Sequence, residues 1–292
     1  MTKTFSQGAA YVEGQIVPID EAKISLLDWG FLHSDATYDV VHVWHGKFFR
    51  LQSHLQRFFS GMEKLRLSIP HNSEQVAAIL ADCVRITGLQ DAYVEMLCTR
   101  GRPPSGSRDP RDCVNQFFAF AVPFIWLSPP DKEGLHLVIS DTQRISRYAV
   151  DPRIKNYHWL DMTAALFQCY DKGGETAVLV DDKGNLVEGP GFNVFVVKDD
   201  NILSPEDGAL VGITRKTVME LATAFGYSVI EKPLSPDDAH NADEMFITST
   251  AGGVMPITKI DNITLSAPGT ITKKLQDAYW RLHDNPQYTT AV

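Results

Sequence analysis

Lys155 lies in Asp151-Pro152-Arg153-Ile154-Lys155-Asn156-Tyr157-His158-Trp159, where a turn signal precedes a helical pattern that begins near Leu160. A lysine amine is a weak nucleophile while charged. Desolvation or a cationic neighbour lowers its pKa, and it can then form a Schiff base with an aldehyde or ketone. Ile154, Tyr157 and Trp159 supply apolar flanks. Most lysines are simply exposed, so this reading depends on the residues that accompany Lys155.

The second such stretch is Glu188-Gly189-Pro190-Gly191-Phe192-Asn193. The glycines let the backbone turn tightly and approach a ligand closely. Glu188 could keep a heterocyclic nitrogen protonated, because an adjacent negative charge favours the cation. Two further segments read as anion cradles. Gly212-Ile213-Thr214 opens a helix, where free N–H groups and the helix dipole favour a phosphate. Thr248-Ser249-Thr250-Ala251-Gly252-Gly253 follows a strand and offers three hydroxyls with a flexible backbone. Arg57, in Ser53-His54-Leu55-Gln56-Arg57, could present a charged fork to the same phosphate. Each feature has a plain alternative: a turn glutamate, a helix cap, a surface arginine. Together they are what pyridoxal 5'-phosphate requires.

The elements that must carry these residues mix strands and helices without strict βαβ alternation, which indicates an α+β fold. A hairpin is predicted over 10–18, turning at Glu13-Gly14, and strands over 37–44, 92–99 and 115–122. Ser53 and Ser73 are expected to cap helices reaching about Leu65 and Ile86, with Gly88 ending the second. Arg100 to Pro110 reads as a mobile surface loop. Pro123 to Gly134 reads as a linker, giving an N-terminal α/β domain over 1–122 and a C-terminal cofactor-binding domain over 135–292. In the second half, strands are expected over 135–139, 177–180, 193–197 and 244–248, and helices over 160–172, 214–225 and 271–283.

The 292 residues carry a net charge of −9, which argues against nucleic acid as the main partner. No apolar run is long enough to span a bilayer, and Met1–Ser6 lacks the apolar core of a signal peptide. Cys83, Cys98, Cys113 and Cys169 have no metal or redox spacing and read as reduced thiols in a cytoplasmic protein. His42 and His45 read as solvated strand and turn residues, and no His/Cys/carboxylate spacing suggests a metal.

The chain resembles the fold-type IV pyridoxal-phosphate aminotransferases, which include the branched-chain and D-amino acid enzymes. Within that group it is similar to the (R)-selective amine transaminases. The resemblance is carried by Phe31 to Val40, by Phe48-Phe49-Arg50-Leu51 with His54 and Arg57, and by Lys155-Asn156 with Trp159. It continues through Glu188 to Asn193, Gly212 to Lys216 and Thr250 to Ile257, in the family's order. It implies two domains, the smaller N-terminal and the larger a pseudo-barrel. It implies Lys155 as the Schiff-base lysine and proton shuttle, and Glu188 as the partner of the pyridine nitrogen. Phe192 and Asn193 fall in the same cofactor-binding motif. Arg57, the backbone at Ile213 and Thr214, and Thr250 match the phosphate cup. Tyr38, Val40, Tyr93, Glu95, Trp159, Thr250 and Ala251 match substrate-pocket positions, and His33 matches a residue contributed across a homodimer interface.

The family's amine transaminases also carry a loop arginine that binds the keto-acid carboxylate. The ungapped position here is Gly106, and Arg108, ahead of Arg102, is the expected substitute. The implied reaction moves an amino group from an (R)-amine, or a D-amino acid, to a keto acid such as pyruvate, with ping-pong kinetics. The alternatives are a D-amino acid or branched-chain aminotransferase, a lyase resembling aminodeoxychorismate lyase, and a non-catalytic cofactor-binding protein. Without the resemblance, Tyr38, Tyr93 and Trp159 read as core aromatics and Glu95 as an outward-facing strand residue.

Overall fold

The computed structural model describes residues 4–292. Residues 1–3, half of the Met1–Ser6 stretch expected to lack a leader, lie outside the described residues. The chain divides into two compact units. The first holds the residues up to Ile125 together with Ile154–Tyr157 and His283–Val292, and the second holds Trp126–Arg153 and His158–Leu282.

The first unit begins with β1 (Ala9–Val12), β2 (Gln15–Pro18), α1 (Trp29–Leu32), β3 (Ala36–Trp44) and β4 (Lys47–Phe49). It continues with α2 (Leu51–Lys64), α3 (Ser73–Thr87), β5 (Ala92–Arg102) and β6 (Val114–Pro123). The second opens with β7 (Leu135–Gln143), α4 (Leu160–Asp171), β8 (Thr176–Val180), β9 (Glu188–Gly189), β10 (Phe192–Lys198) and β11 (Asn201–Ser204). Then come α5 (Ile213–Ala224), β12 (Ser228–Glu231), α6 (Pro236–His240), β13 (Glu244–Ser249), β14 (Gly253–Ile260), β15 (Ile263–Thr264) and α7 (Thr270–Arg281). The chain ends in β16 (Thr289–Ala291), back in the first unit.

The first sheet is antiparallel throughout, in the order β16-β4-β3-β5-β6-β1-β2. Its long central pair β3–β5 is rich in β-branched and aromatic residues and is buried along most of its length. Val41, Val43, Val94, Met96 and Cys98 belong to the core formed with α2 and α3. Helix α2 buries Leu51, Leu55, Phe58 and Met62, one stripe at helical spacing. The second sheet is mixed and curls as a half-barrel, in the order β12-β11-β10-β13-β14-β7-β8, with β9 on β10 and β15 on β14. The architecture is α+β.

Several expectations shift in detail. Helix α2 starts at Leu51, two residues before Ser53, because Arg50 turns the chain with a left-handed φ of 52°. Asn72, not Ser73, caps α3, in a reciprocal capping box with Gln75. Gly88 ends that helix at φ 74°, where a side chain would be strained. Strand β5 runs on to Arg102, so Arg100 is not part of a loose loop. Its guanidinium forks onto Asp35 at 2.9 and 3.0 Å and donates to the Leu65 and Arg66 carbonyls. His42 is buried, 2.7 Å from His283, not solvated. His283–Val292 group with the first unit and not with the rest of the C-terminal half. Residues 154–157 join the first unit, where Asn156 bridges Thr37, and β16 pairs with β4. All four cysteines are unpaired thiols, and Cys113 is the one that is not buried.

Candidate active site

Two constellations take shape, one in each unit. In the first unit, the carbonyl of Lys155 accepts from the Tyr38 N–H at 3.1 Å and the Thr37 hydroxyl at 2.8 Å. The Asn156 side chain folds back onto the Ile154 carbonyl at 2.8 Å, and Ile154 is buried. These contacts fix a segment that lacks regular structure. They place the Lys155 amine over the Tyr38 ring, 4.4 Å from its centroid. Tyr38 stacks on Tyr157 at 4.3 Å and 11°.

Strand register groups the neighbours. Cross-strand partners share a sheet face, so Tyr38–Leu97–Phe118, Val40–Glu95–Phe120 and His42–Tyr93–Val122 form three successive rows on one face. Four predicted pocket residues, Tyr38, Val40, Tyr93 and Glu95, therefore project together. Glu95 is not the outward-facing residue that simple alternation allowed: it is 7% exposed. One of its oxygens accepts from Tyr157 Oη at 2.6 Å and the other from Tyr93 Oη at 3.2 Å. Burial raises its pKa, against the pull of Tyr157, Lys155 and Tyr93.

The opposite face carries Asp39, which is fully buried. Its carboxylate accepts from Arg57 Nε at 2.7 Å, Arg57 Nη2 at 2.8 Å, His54 Nδ1 at 2.8 Å and the Val40 N–H at 2.8 Å. Burial alone would raise its pKa. The charge and hydrogen bonds of Arg57, with help from His54, instead hold it far below the usual carboxylate range. His54 and Arg57 sit three residues apart on α2, on one helical face.

In the second unit, Glu188, Asn193 and Thr248 occupy one row across β9, β10 and β13. Glu188 is 5% exposed. It accepts from Arg144 Nε at 3.0 Å and from the Leu210 N–H at 2.9 Å. Arg144 also donates to Asp161 at 2.6 Å, and burial of the guanidinium is outweighed by Glu188 and Asp161, which raise its pKa. Asn193 donates to the Leu210 carbonyl at 2.8 Å. Helix α5 begins at Ile213 with no side chain capping its N–H groups. A Cβ on the preceding Gly212 would lie 2.0 Å from Asn193 Oδ1, so glycine is required there. The Thr248 hydroxyl is buried without a partner among the described residues. A carboxylate, an uncapped helix start and an orphaned hydroxyl fit a phosphorylated heterocycle.

The remaining predicted residues vary. Phe192 is buried in the second core, and Trp159 packs against the cluster of Val138, Met162 and Ala165. Thr250 and Ala251 form the turn after β13, and the Ala251 carbonyl accepts from the Leu127 N–H at 2.7 Å. His33 is exposed against the edge of Trp29. Arg102 and Arg108 are exposed and make no ion pair with any described residue. Sequence reasoning missed Asp39, Arg144, Asp161 and Tyr157. For Asp39 a signal existed: a carboxylate in an otherwise apolar strand, near a helix carrying His54 and Arg57. Arg144 had none.

Among the described residues, no helix is long and apolar enough to cross a membrane and no cluster of side chains could hold a metal ion. The chain is 33% identical to a putative branched-chain-amino-acid aminotransferase of Methanocaldococcus jannaschii, over 92% of this chain and 94% of that one. It is 28% identical to a D-alanine aminotransferase of Bacillus licheniformis, over 91% and 93%. It spans about half the length of two branched-chain-amino-acid aminotransferase-like proteins of Arabidopsis thaliana. Its fold superposes on the branched-chain amino acid aminotransferase of Thermobaculum terrenum in its PLP-bound holo form, with a TM-score of 0.88, 25% identity, and 98% of this chain and 99% of that one covered. The sequence profile of the family described as amino-transferase class IV matches residues 36–260, and with that match over most of its length the chain belongs to the class IV amino-transferases.

Proposed function

We propose that this aminotransferase takes its amino group from an amine without an α-carboxylate, of (R) configuration, and passes it to a keto acid such as pyruvate. One observation carries the choice of donor. The three rows of the sheet face beneath Lys155 contain a buried carboxylate, hydroxyls, apolar groups and one imidazole, His42, which is engaged with His283 at 2.7 Å, and no arginine or lysine. An α-carboxylate needs a cationic partner when it leaves water; the keto acid's would have to come from the loop, from Arg108 or Arg102, whereas a carboxylate-free amine needs none from this face. Glu95 offers no positive charge in either protonation state. The (R) configuration rests on the resemblance described above.

The cofactor is pyridoxal phosphate. When bound, it supplies a carbonyl to condense with amines and a ring that accepts the electron pair left when the Cα proton departs. The residues would divide the work. Lys155 Nζ is assigned the covalent link and the transfer of the substrate Cα proton. The Tyr38 ring limits where that amine can lie. Glu188, paired with Arg144, would hold the ring nitrogen. The Ile213 and Thr214 N–H groups, the Thr250 hydroxyl and Arg57 would hold the phosphate. Phe192 and Asn193 would complete the cofactor contacts, and Trp159, Val40, Tyr93, Thr250 and Ala251 would shape the substrate pocket. Arg108 or Arg102, both exposed, would meet the keto-acid carboxylate.

The active form is proposed to be a homodimer in the cytoplasm, with His33 reaching the partner's pocket. Leu26, Leu27, Phe31 and Leu32 support this: they are 74%, 63%, 63% and 50% exposed and adjoin His33 in sequence. So dense an apolar patch marks an interface.

A second reading, transamination of D-alanine or branched-chain amino acids, is favoured by the named activities of the relatives. Absorbance of the purified holoenzyme distinguishes the two. The expected outcome is loss of the bound-cofactor band with (R)-1-phenylethylamine, not with the (S) enantiomer, and its return with pyruvate. A band that responds to D-alanine or L-leucine but to neither amine overturns the amine reading.

A further inference from the structure

We propose that Asp39 is a positioning residue for the cofactor phosphate, acting through Arg57. The inference rests on the assignment of Arg57 to that phosphate. Arg57 leaves α2 with four freely rotating side-chain bonds, and a long cation of that kind costs entropy to fix. Asp39 removes that freedom. It takes Arg57 Nε at 2.7 Å on one oxygen and Nη2 at 2.8 Å on the other, a two-point grip that sets both the plane and the direction of the guanidinium.

The grip itself is rigid. Asp39 lies in the middle of the sheet on β3, with no exposed surface. Its Oδ1 is also held by the Val40 N–H and by His54 Nδ1, each at 2.8 Å. A carboxylate can only accept, so His54 must present Nδ1–H, and its tautomer is fixed. His54 is itself 1% exposed in the helix that carries Arg57. Helix and strand are thus tied at three points around one carboxylate, and a cation aligned before its anion arrives loses less on binding.

A bare charge argument predicts the opposite sign. Asp39 neutralises Arg57, so its removal would leave a more positive site and a tighter hold on a phosphate. The two effects are separable. The experiment titrates apoenzyme with pyridoxal phosphate and with pyridoxal, which lacks the phosphate but can still react with Lys155. Wild type, Asp39→Asn, Arg57→Ala and the double variant are compared by the absorbance of the bound form, with circular dichroism as a check on folding.

Positioning predicts that Asp39→Asn raises the Kd of pyridoxal phosphate about tenfold and leaves that of pyridoxal within about twofold. In the double variant Asp39→Asn should add nothing to Arg57→Ala, since the cycle isolates coupling. Unchanged or tighter binding of pyridoxal phosphate in Asp39→Asn overturns the proposal, as does equal weakening of both ligands or full additivity in the cycle. If Arg57→Ala leaves the ratio of the two Kd values unchanged, the phosphate assignment of Arg57 fails, and the role of Asp39 fails with it. Should the Asn variant not fold, Asp39→Glu is read by the same ratio, because it keeps the charge and displaces the grip by one methylene.

Discussion

Asp39 and Glu95 are both buried carboxylates on paired central strands of the first sheet, and they project from opposite faces. Their protonation moves in opposite directions. Asp39 meets a guanidinium on both oxygens, and its pKa falls far below the usual carboxylate range. Glu95 meets two phenols, with Lys155 contributing only through its charge, and burial prevails, so its pKa rises. Burial sets the penalty for the charge, and the partner decides whether the charge survives. One carboxylate is built as a fixed anion and the other as a group whose charge is easily removed.

The largest expected effect is on stability. Asp39→Ala leaves Arg57 and His54 facing an empty site, and breaking a buried pair from one side costs about 3–5 kcal/mol. Glu95→Gln keeps a group that can accept from Tyr157 and should change stability by no more than about 1 kcal/mol. Urea denaturation of the two variants measures the contrast. Equal losses would mean that the two sites are electrostatically alike, and the comparison would collapse.

The next effect is on substrate choice, and it tests the proposed donor class. Glu95→Gln removes the negative charge from the face beneath Lys155. The kcat/KM ratio for D-alanine over (R)-1-phenylethylamine should rise about tenfold, equivalent to about 1.4 kcal/mol. A ratio that does not move would show that Glu95 plays no part in rejecting carboxylates.

Reading these two sites from the sequence succeeded only in part, and the failures have a common cause. The helices were legible because Leu55, Phe58, Phe59 and Met62 repeat at helical spacing and Gly88 marks a stop. Lys155, Glu188 and Gly212 stand out as candidates because their local surroundings are distinctive. Asp39 left only the faint mark of a carboxylate in a largely apolar strand, which by itself does not say whether it faces water or a guanidinium. Arg144 pairs with Glu188, forty-four positions away, and with Asp161. Neither pairing leaves a mark on its neighbours in the chain. Strand β14 was hidden by Pro256, which cannot donate to a ladder. Strand β16 was hidden by its shortness and by pairing with β4, about 240 residues earlier in the chain.

Acid titration sharpens the contrast further. A carboxylate whose folded pKa is depressed gives stability that is present above its unfolded value near 3.8 and lost as pH falls through the folded value. Asp39 should therefore make wild type lose stability below about pH 4, and Asp39→Asn should flatten that loss. Glu95 has the reverse sign. Its folded pKa is raised above the ordinary 4.5, so the folded state binds the extra proton and loses stability as pH climbs through the raised value. Glu95→Gln should remove that decline. Denaturation midpoints between about pH 3 and 8 test both slopes, and slopes of the same sign would refute the opposed assignments.

The smallest expected effect belongs to His54, which lies on the Asp39 side and responds to both influences. Burial lowers its pKa from the ordinary 6.5, Asp39 opposes this, and Arg57 and Lys155 add to the lowering. The folded protein therefore keeps His54 neutral at pH values where the unfolded chain already binds a proton. Below about pH 6.5 protonation favours the unfolded state, and stability falls by at most about 1.4 kcal/mol per pH unit until the lowered folded value is reached. His54→Gln retains an N–H for the Asp39 carboxylate and cannot titrate. The variant should track wild type above about pH 7 and lose less stability between about pH 6.5 and 5. If its stability profile runs parallel to that of wild type through this range, then His54 is protonated in the folded protein. The Asp39 cluster would then carry a second cation, and the grip on Arg57 would be shared with an imidazolium instead of supported by a neutral donor.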